Sequence, residues 1–384
     1  MIKASATLII DMGNSETRVA TVYGKTMNGV PRLIISKIPN SFAELPEGYE
    51  IPEEYKNENS IVFNYKNNKP FTSGELCERE FPVSSVRPTA IEKKYEAFST
   101  ELTLNATLLE GYRSVAKITG ADIDDLDISW KVVVLLPPAD MFVGAKQVAD
   151  KVRSIKSLNF IQPDFTADID ITEVNVYPES LMAFMGVVFG IGGTINSGMK
   201  NLLKETILII DIGAGTTDFC VVKNSSIIED TKETVDTGGN NVHQKVRQML
   251  KREGLALPDK VVQEATVRGT VKDGSRELSI VDKINDAKEM VASALTGAIR
   301  DFFESTQFPA RTIEKVLVVG GGSMTPKVEG IKSMSEYLVK YLHGFAPNAD
   351  LVEIPQINIE TSTGVFGATP RELNVLGALV VSTR

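Results

Sequence analysis

The hydrophobic pattern of the chain starts twice. An apolar run at 5–11 ends in Asp11, a turn follows at Gly13-Asn14, and a second run fills 16–23; a turn around Asn28-Gly29 leads to a third run at 31–37. Continuous and alternating apolar runs bounded by Gly and Asn predict a three-stranded meander. Residues 38–95 are rich in Pro, Asn, Glu and Lys with only short apolar runs, which predicts a small, exposed inserted subdomain rather than core. A helix near 92–118, a β-branched strand at 128–137, a helix at 139–156 and a strand around 169–176 complete the first half. The greasy stretch SLMAFMGVVFGIGG (180–193) is too short to span a bilayer and predicts a buried helix.

The pattern then restarts. Strands are predicted at 206–211 and 218–223 around a turn at 212–217, and a helix at 239–251 carries Val242, Val246, Met249 and Leu250 on one stripe. A polar insertion covers 252–282, and the helix 283–303 repeats its apolar face through Ile284, Ala287, Val291, Leu295, Ala298 and Phe302. A strand at 315–319 leads through three glycines into a helix at 324–342 with Pro326 in its first turn. A short strand (350–354), a Gly-rich loop and an apolar helix (372–382) close the chain.

The two starts share more than a pattern. LIIDMGNSETRVATV (8–22) and LIIDIGAGTTDFCVV (208–222) are identical at seven of fifteen positions and lie two hundred residues apart. A strand ending in Asp, followed by a glycine-bearing turn, places a carboxylate at the strand's C-terminal end, where open α/β sheets bind ligands. The small residues Gly213, Gly215, Thr216 and Thr217 let backbone N–H groups approach phosphate oxygens and add hydroxyl donors. The matching turn Gly13, Asn14, Ser15 and Thr17 is less open, lacking the second glycine. One hairpin of this kind is ordinary; two facing each other would grip a polyphosphate. Asp11 and Asp211 would then hold a hydrated Mg²⁺ through water, since Mg²⁺ keeps several waters and takes few carboxylates. The fuller glycine turn predicts that the two hairpins are unequal, with Asp211 nearer the terminal phosphate.

Two further motifs extend this chemistry. VVGGGSMTP (318–326) runs from a strand into three glycines and a serine, so that a flat base or a phosphate would lie against Gly320, Gly321, Gly322 and Ser323. It lacks the Lys-Ser/Thr of a P-loop. In VYPESLMAF (176–184), Pro178 and Glu179 open an apolar helix, where Pro is favoured and a carboxylate meets the positive dipole end. A helix starting in the ligand cleft would let Glu179 aim a water at a phosphate, and phosphoryl transfer depends on such positioning.

Composition narrows the classes. The 384-residue chain suggests about two domains. With 50 acidic against 41 basic residues, its net charge of −9 argues against broad contact with nucleic-acid phosphates. Any DNA cargo would need a partner. Cys77 and Cys220 fit neither a disulfide framework nor a zinc site, and nothing reads as a signal peptide or membrane span. A cytoplasmic protein without membrane or direct nucleic-acid contact is therefore expected. His243 and His343 share no motif with a nucleophile, and Trp130 reads as core.

In order and content these segments resemble the actin, sugar-kinase and heat-shock-chaperone ATPase superfamily: two phosphate motifs, the adenosine motif VVGGGSM, and connecting helices at VYPESLMAFMG and LNVLGALVV (373–381). Within it, PES resembles the ParM-type plasmid-segregation actins, in which a glutamate here orients the hydrolytic water; that role carries over to Glu179. TGGNNV (237–242) resembles the turn after the second phosphate hairpin, implying nucleotide contact at Gly238, Gly239 and Asn240. NDAKEM (285–290) resembles the actin segment whose Lys-Glu pair meets the sugar and base, implying the same for Lys288 and Glu289, which spacing alone would leave as a solvated helix face.

The resemblance implies an α/β fold of two similar actin-like (ribonuclease H-like) domains, each a mixed β-sheet with flanking helices, with nucleotide in the cleft between them. Domain I would take 1–176 and 360–384, with an inserted subdomain about 38–95; domain II would take 177–359, with one about 240–310. Glu179, Asp211 and Asp11 are the catalytic candidates, and ATP (GTP as the alternative) with Mg²⁺ the cofactors. The expected function is a nucleotide-dependent, filament-forming ATPase that moves or segregates plasmid or phage DNA, its partners being copies of itself head to tail and a DNA-binding adaptor. A membrane-linked cell-shape or division actin and a small-molecule kinase on the same fold are the alternatives. A chaperone would need a substrate-binding domain beyond the last helix, and the chain is expected to end at Arg384.

Overall fold

Leu8, Ile9 and Ile10 are apolar in succession, not alternation, because their strand is covered on both faces, and all three are buried. The computed structural model describes residues 2–25, 30–57, 59–66, 68–82, 85–86, 93–324, 328–361 and 364–382. The expected turn at Asn28-Gly29 and the helix-start Pro326 lie outside the described residues. The chain divides into two compact units, 1–194 with 357–368 and 374–384, and 195–356 with 369–373.

The first unit opens with β1 (Ile2–Met12), β2 (Glu16–Lys25) and β3 (Pro31–Pro39) as an antiparallel meander. The inserted segment holds β4 (Phe42–Glu44), β5 (Ser60–Tyr65), β6 (Lys69–Gly74) and α1 (Glu75–Glu80). Then come α2 (Phe98–Thr119), β7 (Leu126–Leu136), α3 (Met141–Ser154), β8 (Ser157–Gln162), β9 (Phe165–Asp168), β10 (Asp170–Pro178) and α4 (Glu179–Val188). The main sheet has the order β10-β7-β1-β2-β3, with β7 parallel to both β1 and β10. Trp130 is fully buried in β7, and Gly111 lets α2 lie on it: a Cβ there would meet the indole at 2.8 Å.

The inserted segment departs from the expected exposed subdomain. Its strands form a second sheet, β4-β6-β5-β8-β9, which is completed by a hairpin from 157–168 that the sequence pattern does not predict. The rings of Phe63 and Phe160 lie 5.4 Å apart across β5 and β8, and Phe42, Phe63 and Phe71 are buried in the same core as Leu8 and Trp130. Aromatic burial thus welds the insertion to the unit.

The second unit repeats the wiring. It holds β11 (Thr206–Ile212), β12 (Thr217–Lys223), β13 (Ser226–Ile227), β14 (Glu233–Val235), α5 (Gly239–Arg252), α6 (Asp259–Arg268), β15 (Thr270–Asp273), β16 (Arg276–Ser279), α7 (Val281–Ser305), β17 (Lys315–Val319), α8 (Met334–Leu342) and β18 (Asp350–Leu351). The strand order β18-β17-β11-β12, with β14 beside β12, matches β10-β7-β1-β2-β3 in the first unit. Even the hairpin registers correspond: Asp11 faces Arg18 and Met12 faces Thr17, as Asp211 faces Asp218 and Ile212 faces Thr217.

Four expectations change here. The polar stretch 252–282 contains α6 and the β15–β16 hairpin, anchored by buried Val262, Ala265 and Val271. The α7 stripe continues from Leu295 through Ile299 and Phe303, because i+4 steps keep these on the buried side. The helix after the triple glycine starts at Met334, not 324. Gly330 takes φ +84°, and Ser333 and Glu336 form a reciprocal capping box that begins the helix there. Beyond it, the expected Gly-rich loop contains an antiparallel hairpin, β19 (Ile357–Thr361) and β20 (Gly364–Ala368), which precedes α9 (Leu373–Ser382).

Candidate functional site

In the second unit, β11 and β17 run parallel side by side with Asp211 opposite Val319, so both strands deliver their following turns to one edge. Three backbone segments meet there. The turn 213–216 closes on itself through Gly213 N–H donating to Thr216 O at 2.8 Å. Its carbonyls face the start of α5: Gly213 O accepts from Gly239 N–H at 2.9 Å and Ala214 O from Asn240 N–H at 2.8 Å. The third segment is the triple glycine. A Cβ on Gly320, which takes φ +84°, would lie 2.2 Å from Asp211 Oδ1, and one on Gly322 would lie 2.4 Å from the Ile212 side chain. A Cβ on Gly238 would fall within 2.9 Å of three atoms of the 213–215 turn. Glycine is required at each position because neighbouring atoms, of Asp211 and Ile212 at 320 and 322 and of the 213–215 backbone at 238, occupy the space a side chain needs.

This arrangement sorts donors from acceptors. The carbonyls of Gly213 and Ala214 are used within the protein, whereas no hydrogen bond within the described residues engages the N–H groups of Ala214, Gly215 and Thr216. Successive backbone donors on a small-residue turn are the chemistry of an anion site. Asp211 is buried beneath it. Thr217 instead acts as a strut, its hydroxyl donating to Thr237 O at 2.6 Å, and Ser323 Oγ donates back to Gly320 O at 2.7 Å.

The first unit's turn follows the same logic with other parts. A Cβ on Gly13 would meet Glu16 O at 2.5 Å. Buried Asn40 holds the turn from inside: its Nδ2 donates to Gly13 O at 2.6 Å and its N–H to Ser15 O at 3.0 Å. The N–H groups of Asn14 and Ser15 have no hydrogen bond within the described residues. Thr17 is fully buried, and its hydroxyl lacks a partner there.

Beside this turn lies a buried ionic cluster. Glu179, the first residue of α4, and Asp11, at the end of β1, are both buried. Lys94 Nζ donates to Glu179 Oε1 at 2.7 Å. Burial pushes the Asp11 carboxyl up to about 7; the charge of Glu179 adds to the shift, and Lys94, Arg18 and a hydrogen bond from Asn374 of α9 oppose it. A carboxyl held that high is poised to be neutralised by a nearby cation.

Lys288 and Glu289 are engaged elsewhere within the second unit. Lys288 is buried and donates to Lys332 O at 2.7 Å, while Glu289 accepts from Lys340 at 2.6 Å and from Tyr341 at 3.0 Å. Sequence reasoning missed Lys94, Asn40 and Arg371. The Arg371 guanidinium lies over the triple glycine, its Nε 2.9 Å from where a Cβ on Gly321 would be, and Pro370 O accepts from Gly320 N–H at 3.2 Å. All three come from irregular segments without periodicity; only the Pro-Arg-Glu that precedes the last apolar helix marks one of them.

The glycine cradle, the ordered N–H donors and a buried carboxylate fit a phosphate-bearing ligand. No cluster of three metal-ligating side chains occurs among the described residues, and a hydrated Mg²⁺ carried by phosphate oxygens needs none. No helix among the described residues is long and apolar enough to cross a membrane.

Comparison with known proteins agrees with this geometry. Residues 209–328 match a family model described as archaeal actin homologue MreB-like, C-terminal. Among solved structures, the actin-like protein Alp7A is similar with a TM-score of 0.71 and 15% identity, covering 100% of this chain and 96% of that one. Ta0583, an archaeal actin homologue solved in complex with ADP, gives 0.63 and 14%, with 98% and 97% covered. A ParM from Clostridium botulinum, solved as a 15-stranded filament, gives 0.58 and 16%, with 98% of both chains covered. None of the curated proteins matches in sequence. The protein thus has the actin-like fold, as its duplicated motifs implied, and within its second half it matches archaeal actin homologues in sequence as well.

Proposed function

We propose that this chain is a nucleotide-dependent, filament-forming ATPase of the actin type. The observation that carries the reading is the meeting of the 213–216 turn, the 238–240 helix start and the 320–322 glycines, which leaves the consecutive backbone N–H groups of 214–216 without a hydrogen bond among the described residues. Gly213, Gly215, Thr216, Gly238, Gly239, Asn240 and Gly320–Ser323 bind the nucleotide, with Gly13, Asn14 and Ser15 completing the phosphate contacts. Asp11 and Asp211 would hold Mg²⁺, and the ion when bound would supply charge neutralisation to the phosphates. ATP is the favoured nucleotide; the ADP complex of Ta0583 supports a nucleotide of this class.

Glu179 orients the attacking water. It is buried at a helix start whose backbone is fixed by Pro178, so its carboxylate is presented without the freedom of a loop. Head-to-tail association that does not close into a ring yields an open filament, and the 15-stranded filament of the Clostridium botulinum ParM supports such assembly. With a net charge of −9, the polymer moves plasmid or phage DNA through a basic adaptor in the cytoplasm. Replacing Glu179 by Ala tests the core of this reading: nucleotide affinity and assembly persist, and phosphate release slows by about two orders of magnitude. Unchanged turnover would remove Glu179 from the mechanism.

A further inference from the structure

We propose that Lys94 is a positioning residue for Glu179, holding its carboxylate in a fixed orientation from the end of the inserted segment; this rests on the reading of Glu179 as the water-orienting group. Lys94 Nζ and Glu179 Oε1 are 2.7 Å apart, and the two side chains are 15% and 6% exposed. An ion pair this buried pays a desolvation cost that apolar packing would avoid, so stability alone is a weak reason for it.

The lysine is also delivered by a fixed seat. Its neighbour Lys93 pairs with buried Asp140 at 2.9 Å, just ahead of α3. On the other side, the Tyr95 ring fills the space over Gly144 of α3, where a Cβ would lie 2.4 Å from the ring. The Thr100 hydroxyl, in the first turn of α2, donates to Lys94 O. Backbone on both sides of Lys94 is therefore pinned, and the ammonium reaches Glu179 from a set direction.

The chemistry suits positioning. An ammonium only donates, and by taking Oε1 it fixes a flexible carboxylate while lone pairs remain to accept from water. Lys94 also offsets the repulsion between the like charges of Glu179 and Asp11. Without it, Glu179 is free to turn away, and misorientation of this kind lowers turnover without lowering affinity.

The test compares wild type, Lys94→Met, Lys94→Arg, Glu179→Gln and the Lys94→Met/Glu179→Gln double variant. Phosphate release and affinity for a fluorescent ADP analogue are measured, together with melting temperature without nucleotide. The expected result is that Lys94→Met slows phosphate release about tenfold or more with affinity within about twofold of wild type. Lys94→Arg recovers most of the rate. Adding Lys94→Met to Glu179→Gln slows release no further, and it lowers the melting temperature only where Glu179 is present. A slow Glu179→Gln beside a Lys94→Met of wild-type or higher rate overturns the role of Lys94 alone. A Glu179→Gln with unchanged rate overturns the reading of Glu179, and Lys94 with it. Should Lys94→Met not fold, a Lys94→Arg with wild-type structure and the rate of Glu179→Gln would equally contradict the proposal.

Discussion

Lys288 sits inside the second unit with its ammonium against the Lys332 carbonyl, and burial pushes it down from the ordinary 10.5 to about 8, against the pull of Glu336. Between those two values the unfolded chain binds the proton that the folded chain has released. Stability conferred at this position therefore rises with pH from about 8 toward 10.5, and the cost of burying the charge is complete below that window. Denaturant unfolding of wild type and Lys288→Met across this range should show the wild type gaining on the variant as pH rises; parallel curves would mean that Lys288 stays charged. The same scale explains what the sequence could say about the site. Asp11, Asp211 and Glu179 stand out in the sequence as candidates because each sits where a strand ends or a helix begins, positions that the hydrophobic pattern marks. Lys94, Asn40 and Arg371 do not, because their partners are brought to them by tertiary packing alone.

Elements bring the site residues together through close backbone approach, most clearly where α9 crosses α4. A Cβ on Gly377 would lie 1.7 Å from Met182 O and 2.9 Å from Gly186 N, so the two helices touch at glycine and carry Asn374 to Asp11 and Glu179 to its place. Gly377→Ala is expected to destabilise the first unit by about 1–3 kcal/mol or more through overpacking. Gly297→Ala in α7, where nothing lies within 4 Å, is the control and should stabilise by about 0.5–1 kcal/mol. Equal effects in thermal melts would refute the close crossing. The apolar runs of both α4 and α9 predicted buried helices, yet periodicity cannot say which glycine makes a crossing. The missed elements have related causes. The β8–β9 hairpin is short and turns at Pro163-Asp164, and its two buried phenylalanines are too few to make a pattern. The three glycines mimic a helix boundary, whereas the capping box that starts α8 lies at Ser333 and Glu336.

At the scale of the whole molecule the chain carries one topology twice. Two hairpins in the same register, two hundred residues apart, each lead into parallel strands and helices, and this duplication was readable from fifteen-residue segments because a buried parallel strand writes itself as an unbroken apolar run. The insertions were less readable: their sheet draws strands from both 42–74 and 157–168, and pairing between distant segments leaves no local signature. Assembly belongs to this scale as well, and it separates a polymerising ATPase from a small-molecule kinase on the same fold. The most direct measurement is sedimentation of the intact protein with Mg²⁺ and ATP, GTP, ADP or a non-hydrolysable ATP analogue, with light scattering followed in parallel. The predicted result is that the protein pellets with a triphosphate or the analogue and stays in the supernatant with ADP or without nucleotide. Absence of pelleting under every nucleotide would contradict the proposed filament-forming ATPase.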